Sequence, residues 1–142
     1  MKIAKEFRWE MGHRLTFHKG KCKSLHGHSY KMMVEFSGMP DENGMVLDYY
    51  DVKNIIGPIV DKLDHSFMVY EKDTEVIDAL NKLNSQIVVT PFESTAENMC
   101  RYFLDEIKKT DLPDNIYGVK VKVFETENTY AQDKIELQKK GS

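Results

Sequence analysis

His13, Cys22, His26 and His28 stand close together near the N-terminus, the last three in the run Cys22-Lys23-Ser24-Leu25-His26-Gly27-His28. On a β-strand, the spacing of His26 and His28 puts both imidazoles on one face. With His13 from a neighbouring strand they make a three-nitrogen site. Zinc held by three protein nitrogens keeps its fourth position open for water or substrate, which marks a catalytic rather than a structural site. The plainer alternative is a set of polar strand residues, or core histidines satisfied by backbone. His18 is a rival ligand but falls in what reads as a loop. Cys22 need not be a ligand. Its basic neighbours and a nearby metal would favour the reactive thiolate, although a buried, inert thiol is the commoner fate of cysteine.

Two further groups can move or hold protons. In Asp64-His65 a carboxylate adjoins an imidazole, whose tautomer and basicity it can set. The alternative is a helix C-terminus carrying a favourable histidine and a solvated aspartate. Glu125 shares the parity of Val119, Val121 and Val123 at the end of a strand, which would turn it toward a buried or interface side. A carboxylate there costs free energy unless it meets a donor-rich partner. The N–C–N edge of a guanine or a pterin offers two parallel donors. The alternative is a strand-end glutamate in water.

The elements that must position these residues follow from hydrophobic period and caps. Lys2 to Trp9 and His28 to Ser37 read as strands, and Met45-Val46-Leu47 as a short one. Asp48 caps a helix whose apolar positions run from Val52 to Leu63, and Gly57-Pro58 should kink it. Thr74 to Leu83 is weakly helical, and Gln86 to Thr90 is a short β-run. Ser94-Thr95-Ala96-Glu97 matches a capping box with Ser94 as the cap, opening a helix to about Lys109 that holds Cys100 in the core. Ile116 to Thr126 alternates cleanly, and Tyr130 to Leu137 reads as a last strand. The order suggests α+β, an antiparallel sheet with two main helices on one face.

At 142 residues, with 41% hydrophobic and 30% charged side chains, the chain fits one globular domain over 1–142. A formal charge of −3 argues against nucleic acid as the main partner. Arg14, Lys19, Lys21 and Lys23 cluster near the histidines and could hold a small phosphorylated ligand. No apolar run is long enough to span a membrane, and the first residues lack the apolar core of a secretory signal. Two distant cysteines make no disulfide framework, so a reduced, cytoplasmic compartment is expected. The closing Gly141-Ser142 reads as a frayed end or an expression scar.

Phe7 to Arg14, the Cys-x3-His-Gly-His run, Leu63-Asp64-His65, Ser94-Thr95-Ala96-Glu97-Asn98 and Phe124-Glu125-Thr126 occur in an order that resembles the 6-pyruvoyl-tetrahydropterin synthase family. The three residues between Cys22 and His26 resemble its 6-carboxytetrahydropterin synthase branch, of queuosine biosynthesis. The resemblance implies the tunnelling fold: a four-stranded antiparallel sheet with two helices on one face. Trimers then close the sheets into a barrel, usually stacked as a homohexamer with active sites between subunits. It implies His13, His26 and His28 as zinc ligands. Cys22, Asp64 and His65 would be proton-transfer groups, and Glu125, with backbone near Thr95, the pterin anchor. The implied activity is a zinc-dependent lyase acting on 7,8-dihydroneopterin triphosphate to give 6-carboxytetrahydropterin, acetaldehyde and triphosphate. Lys21 and Lys23 are candidates to hold the triphosphate. The alternatives are the pyruvoyl synthase, which eliminates triphosphate without carbon–carbon cleavage, and a relative that cleaves dihydroneopterin. The absence of an Asn after Asp64-His65 and the long segment from Glu71 to Pro91 depart from the compact bacterial pattern.

Overall fold

Two long strands carry the alternation seen in the sequence. They are β1 (Lys2–His13) and β2 (His26–Gly38), in a computed structural model that describes residues 1–138. The Gly141-Ser142 pair lies outside the described residues. After β2 come α1 (Tyr49–Leu63), β3 (Ser66–Tyr70), α2 (Thr74–Lys82), β4 (Ile87–Thr90), α3 (Ala96–Lys108), β5 (Ile116–Thr126) and β6 (Thr129–Glu136). The strands form one sheet of six in the order β4-β3-β1-β2-β5-β6.

The architecture is α+β, but among the described residues the sheet has six strands, not four, and there are three α-helices, not two. The difference lies at one edge. β1, β2, β5 and β6 pair antiparallel, whereas β3 joins β1, and β4 joins β3, in parallel. A parallel pair needs a crossover, and α2 supplies it between β3 and β4. The weakly helical Thr74 to Leu83 segment is therefore a connector that adds an edge strand.

One face of the sheet is packed and the other open, as its period-two alternation requires. Trp9, Met11, Tyr30, Met32, Val34, Phe36, Val119, Val121 and Val123 are buried against the apolar stripes of α1 and α3. Those stripes present Val52, Ile56, Val60 and Leu63 from α1, and Met99, Cys100, Phe103, Leu104 and Ile107 from α3. Each large side chain removed from water contributes about 1.5–3 kcal/mol.

Two local expectations are corrected. Met45-Val46-Leu47 is not a strand. Asp41 accepts the backbone N–H groups of Asn43 and Met45, Gly44 takes φ of 82°, and the Asn115 amide donates to the carbonyls of Met39 and Val46. Side chains thus satisfy the backbone that a ladder would have used. Helix α1 continues through Pro58 to Leu63. Pro58 lies on the exposed side, so the carbonyl its ring cannot bond faces away from the core. The cap of α3 is Thr95, not Ser94: the Thr95 hydroxyl accepts from the Asn98 N–H at 3.1 Å. Ser94 is turned to another use.

Candidate metal centre

The β1–β2 ladder runs further than the sequence suggested, to a terminal pair His13↔His26. His28 follows His26 on the same face, so strand register alone converges three imidazoles. Their ring centroids lie 4.7–5.1 Å apart, and one nitrogen from each falls within 4.8 Å of the others. The Tyr30 ring packs beside them, 5.4 Å from His28. His18 is outside the group; its Nδ1 accepts the Gly20 N–H.

Backbone carbonyls set two of the tautomers. His13 Nδ1 lies 2.9 Å from the Ser94 carbonyl and 3.1 Å from its hydroxyl, and His26 Nδ1 lies 2.7 Å from the Ser24 carbonyl. A carbonyl only accepts, so each Nδ1 carries the proton and each Nε2 keeps its lone pair. His13 is 1% exposed, and its Nε2 is buried with no hydrogen-bond partner. Burial drives its pKa down to about 4, with the charges of His26 and His28 acting the same way and the Ser94 bond opposing. Burial lowers the His28 pKa as well, against the pull of Glu125. A buried, neutral, unpartnered nitrogen facing two further imidazoles fits a zinc-type divalent ion.

A stability test follows for the metal-free protein. The folded-state pKa of His13 is depressed, so protons favour the unfolded chain as pH falls below 6.5, and the penalty is complete below about pH 4. The loss is about 3 kcal/mol. Denaturant unfolding at pH 6.5 and pH 4 should show that much less acid sensitivity in His13→Asn than in the parent.

The Asp64-His65 pair sits where α1 ends. The Asp64 carboxylate accepts the Glu10 N–H at 2.9 Å and lies 3.0 Å from His65 Nδ1, while the His65 N–H donates to the Glu10 carbonyl at 2.7 Å. The Glu10 amide, and then His65, hold the Asp64 carboxyl below its ordinary range. His65 has φ of 61°, a conformation that costs a non-glycine residue and recurs at functional sites. Its side chain is 76% exposed and borders a cleft of about 400 Å³ with Glu10, Gly12, Gly27, His28 and Ser29. Gly12 is needed here: a Cβ would stand 2.5 Å from the Phe67 ring.

Cys22 is half-buried and free, in a single 3-10 turn (Lys21–Lys23) of the loop joining β1 to β2 at the histidine end. Among the described residues no hydrogen bond or ion pair joins it to Asp64 or His65. Lys19, Lys21 and Lys23 are exposed in the same loop. Arg14 leaves the expected basic cluster: its guanidinium grips the buried Asp73 carboxylate through Nε at 2.7 Å and Nη2 at 2.6 Å. Glu125 does reach the histidines, with Oε1 3.4 Å from His13 Nε2 and 3.7 Å from His28 Nε2. Thr95 lies one residue from Ser94, whose contact with His13 spans 81 positions and left no signal in the sequence. Sequence reasoning also missed Glu93, which accepts from the Thr16 hydroxyl and backbone N–H beside this corner.

With this geometry in view, similarity to known proteins is informative. Residues 2–135 match the family described as 6-pyruvoyl tetrahydropterin synthase. A protein of Haemophilus influenzae named 6-carboxy-5,6,7,8-tetrahydropterin synthase is 40% identical, over 75% of this chain and 82% of its own. One of the same name from Aquifex aeolicus is 35% identical, over 94% of this chain and 98% of its own. Among solved structures, the 6-pyruvoyl tetrahydropterin synthase of Plasmodium vivax superposes with a TM-score of 0.78 at 20% identity, covering 96% of this chain and 98% of that one. The Caenorhabditis elegans enzyme of that name gives 0.68 at 22% identity, over 94% of each chain. Those two likenesses carry the fold, and the sequence match extends over nearly every strand and helix described above: the chain belongs to the 6-pyruvoyl tetrahydropterin synthase family.

Proposed function

We propose that this protein is a zinc-dependent lyase that converts 7,8-dihydroneopterin triphosphate, with uptake of water, to 6-carboxy-5,6,7,8-tetrahydropterin, acetaldehyde and triphosphate. The observation that carries the metal assignment is the buried, unpartnered Nε2 of His13 facing His26 and His28. The names of the Haemophilus influenzae and Aquifex aeolicus relatives favour the carboxy product over the pyruvoyl one.

His13, His26 and His28 would hold the zinc, which supplies Lewis acidity toward substrate oxygens. Glu125 receives the N–C–N edge of the pterin through two parallel hydrogen bonds, assisted by backbone near Thr95. Cys22, as thiolate, and His65, oriented by Asp64, move protons on and off the side-chain carbons as triphosphate leaves and the carbon–carbon bond breaks. Lys21 and Lys23 are exposed and available to the triphosphate. The lack of a hydrogen bond or ion pair between Cys22 and Asp64-His65 among the described residues suits a site completed between subunits. The outermost strands, β4 and β6, each pair on one side only, which suits closure of sheets in a trimer or a dimer of trimers. Among the described residues no helix is long and apolar enough to cross a membrane, and a place in queuosine biosynthesis in the cytoplasm suits this chemistry.

Incubating zinc-loaded protein with 7,8-dihydroneopterin triphosphate and following products by mass spectrometry tests the assignment. Acetaldehyde and 6-carboxytetrahydropterin should appear together. A pyruvoyl product without acetaldehyde would move the protein to the other branch, and untouched substrate would contradict both.

A further inference from the structure

Glu125 is placed by three features of the fold. Its parity puts it on the helix-facing side with Val121 and Val123. The β2–β5 register, with Lys31 opposite Phe124, sets it beside Tyr30, one alternation from His28. The β5–β6 register slips between Phe124 and Thr126, so Glu125 sits at an irregularity of the kind that re-aims a side chain. The result is a carboxylate oxygen 3.4 Å from His13 Nε2 and 3.7 Å from His28 Nε2.

The His13 contact is not a hydrogen bond to the neutral ring. His13 Nδ1 is committed as a donor to the Ser94 carbonyl, so its neutral ring turns a bare lone pair toward another acceptor. A cation placed between the bare His13 nitrogen and the Glu125 carboxylate would satisfy both acceptors. In a four-coordinate zinc site with bonds near 2.1 Å, neighbouring ligand atoms stand about 3.4 Å apart, close to the separations found here. Apart from the two histidines, no N–H or O–H group among the described residues donates to Glu125, and its side chain is 30% exposed, which leaves it room to swing away.

We propose that Glu125 is a fourth, exchangeable protein ligand of the metal when no pterin is bound. The same carboxylate then leaves for the N–C–N edge of an arriving pterin, so the metal's open position is created only when substrate is in place. This rests on the metal and pterin assignments made above. It extends them by coupling the two sites through one side chain.

Zinc affinity, read by competition with a chromophoric chelator, tests the coupling without turnover. Glu125→Gln, which keeps the shape, should weaken zinc binding at least about tenfold, whereas Cys22→Ala should not change it. Glu125→Ala serves as a second variant should the amide fold poorly. In the cobalt(II)-substituted protein, Glu125→Gln should alter the ligand-field bands. A pterin lacking a C6 side chain should shift the parent spectrum in the same sense and leave the variant unchanged. Equal zinc affinity and identical cobalt spectra in parent and Glu125→Gln would overturn the proposal and leave the three-histidine site standing. Failure of the parent to bind zinc at all would overturn both.

Discussion

Cys22→Ala should lose turnover by a hundred- to ten-thousandfold, the range that one positioned proton-transfer group contributes, while one zinc per chain stays bound. The thiol is half-buried and free in the loop beside the histidine pair that ends the β1–β2 ladder, and it is not needed to explain how His13, His26 and His28 converge. Loss of zinc in this variant would make Cys22 a ligand instead. A second expectation follows from the proposal that the site is completed between subunits. Inactive Cys22→Ala chains mixed with inactive His65→Ala chains, unfolded and refolded together, should regain part of the parent activity. That happens only if one subunit's thiol works with another's imidazole. No recovery would place the whole triad within a single chain, which its internal contacts do not suggest.

His28→Ala should abolish turnover by removing the metal. An apparent zinc-binding free energy of about 10–16 kcal/mol, shared among three or four ligands, assigns roughly 3–5 kcal/mol to one imidazole. That is a hundredfold to several thousandfold in affinity. His28 is the suitable residue to remove, because its side chain is 21% exposed and makes no backbone hydrogen bond that the fold needs. His13 by contrast is sealed against Ser94, and its loss would leave a buried carbonyl without a donor. The His28→Ala protein should therefore fold with nearly the stability of the metal-free parent.

The parts of this site that were legible in the sequence are those set by local spacing. Two histidines two residues apart on a strand must share a face, and the clean alternation of Val119, Val121 and Val123 carries Glu125 to the same side. The capping run before α3 marked the start of that helix, although Thr95 rather than Ser94 accepts its first N–H. What stayed hidden depends on contacts between distant segments. Ser94 fixes His13 across 81 positions, and Glu10 pins the Asp64-His65 corner from 54 positions away. Arg14 reads as a free cation until the buried Asp73 is brought to it. Of the extra parallel edge, the run at β4 was legible but β3 was not. β3 is only five residues long and mostly buried, so it lacks the alternation that identifies a half-exposed strand.

The most direct test titrates zinc into metal-stripped parent and His28→Ala proteins while acetaldehyde release from 7,8-dihydroneopterin triphosphate is followed. Activity in the parent should rise linearly and break at one zinc per chain, and His28→Ala should stay inactive at the same zinc concentration. Full turnover by the stripped parent, or an equal response in His28→Ala, would show that the chemistry does not run through the three imidazoles.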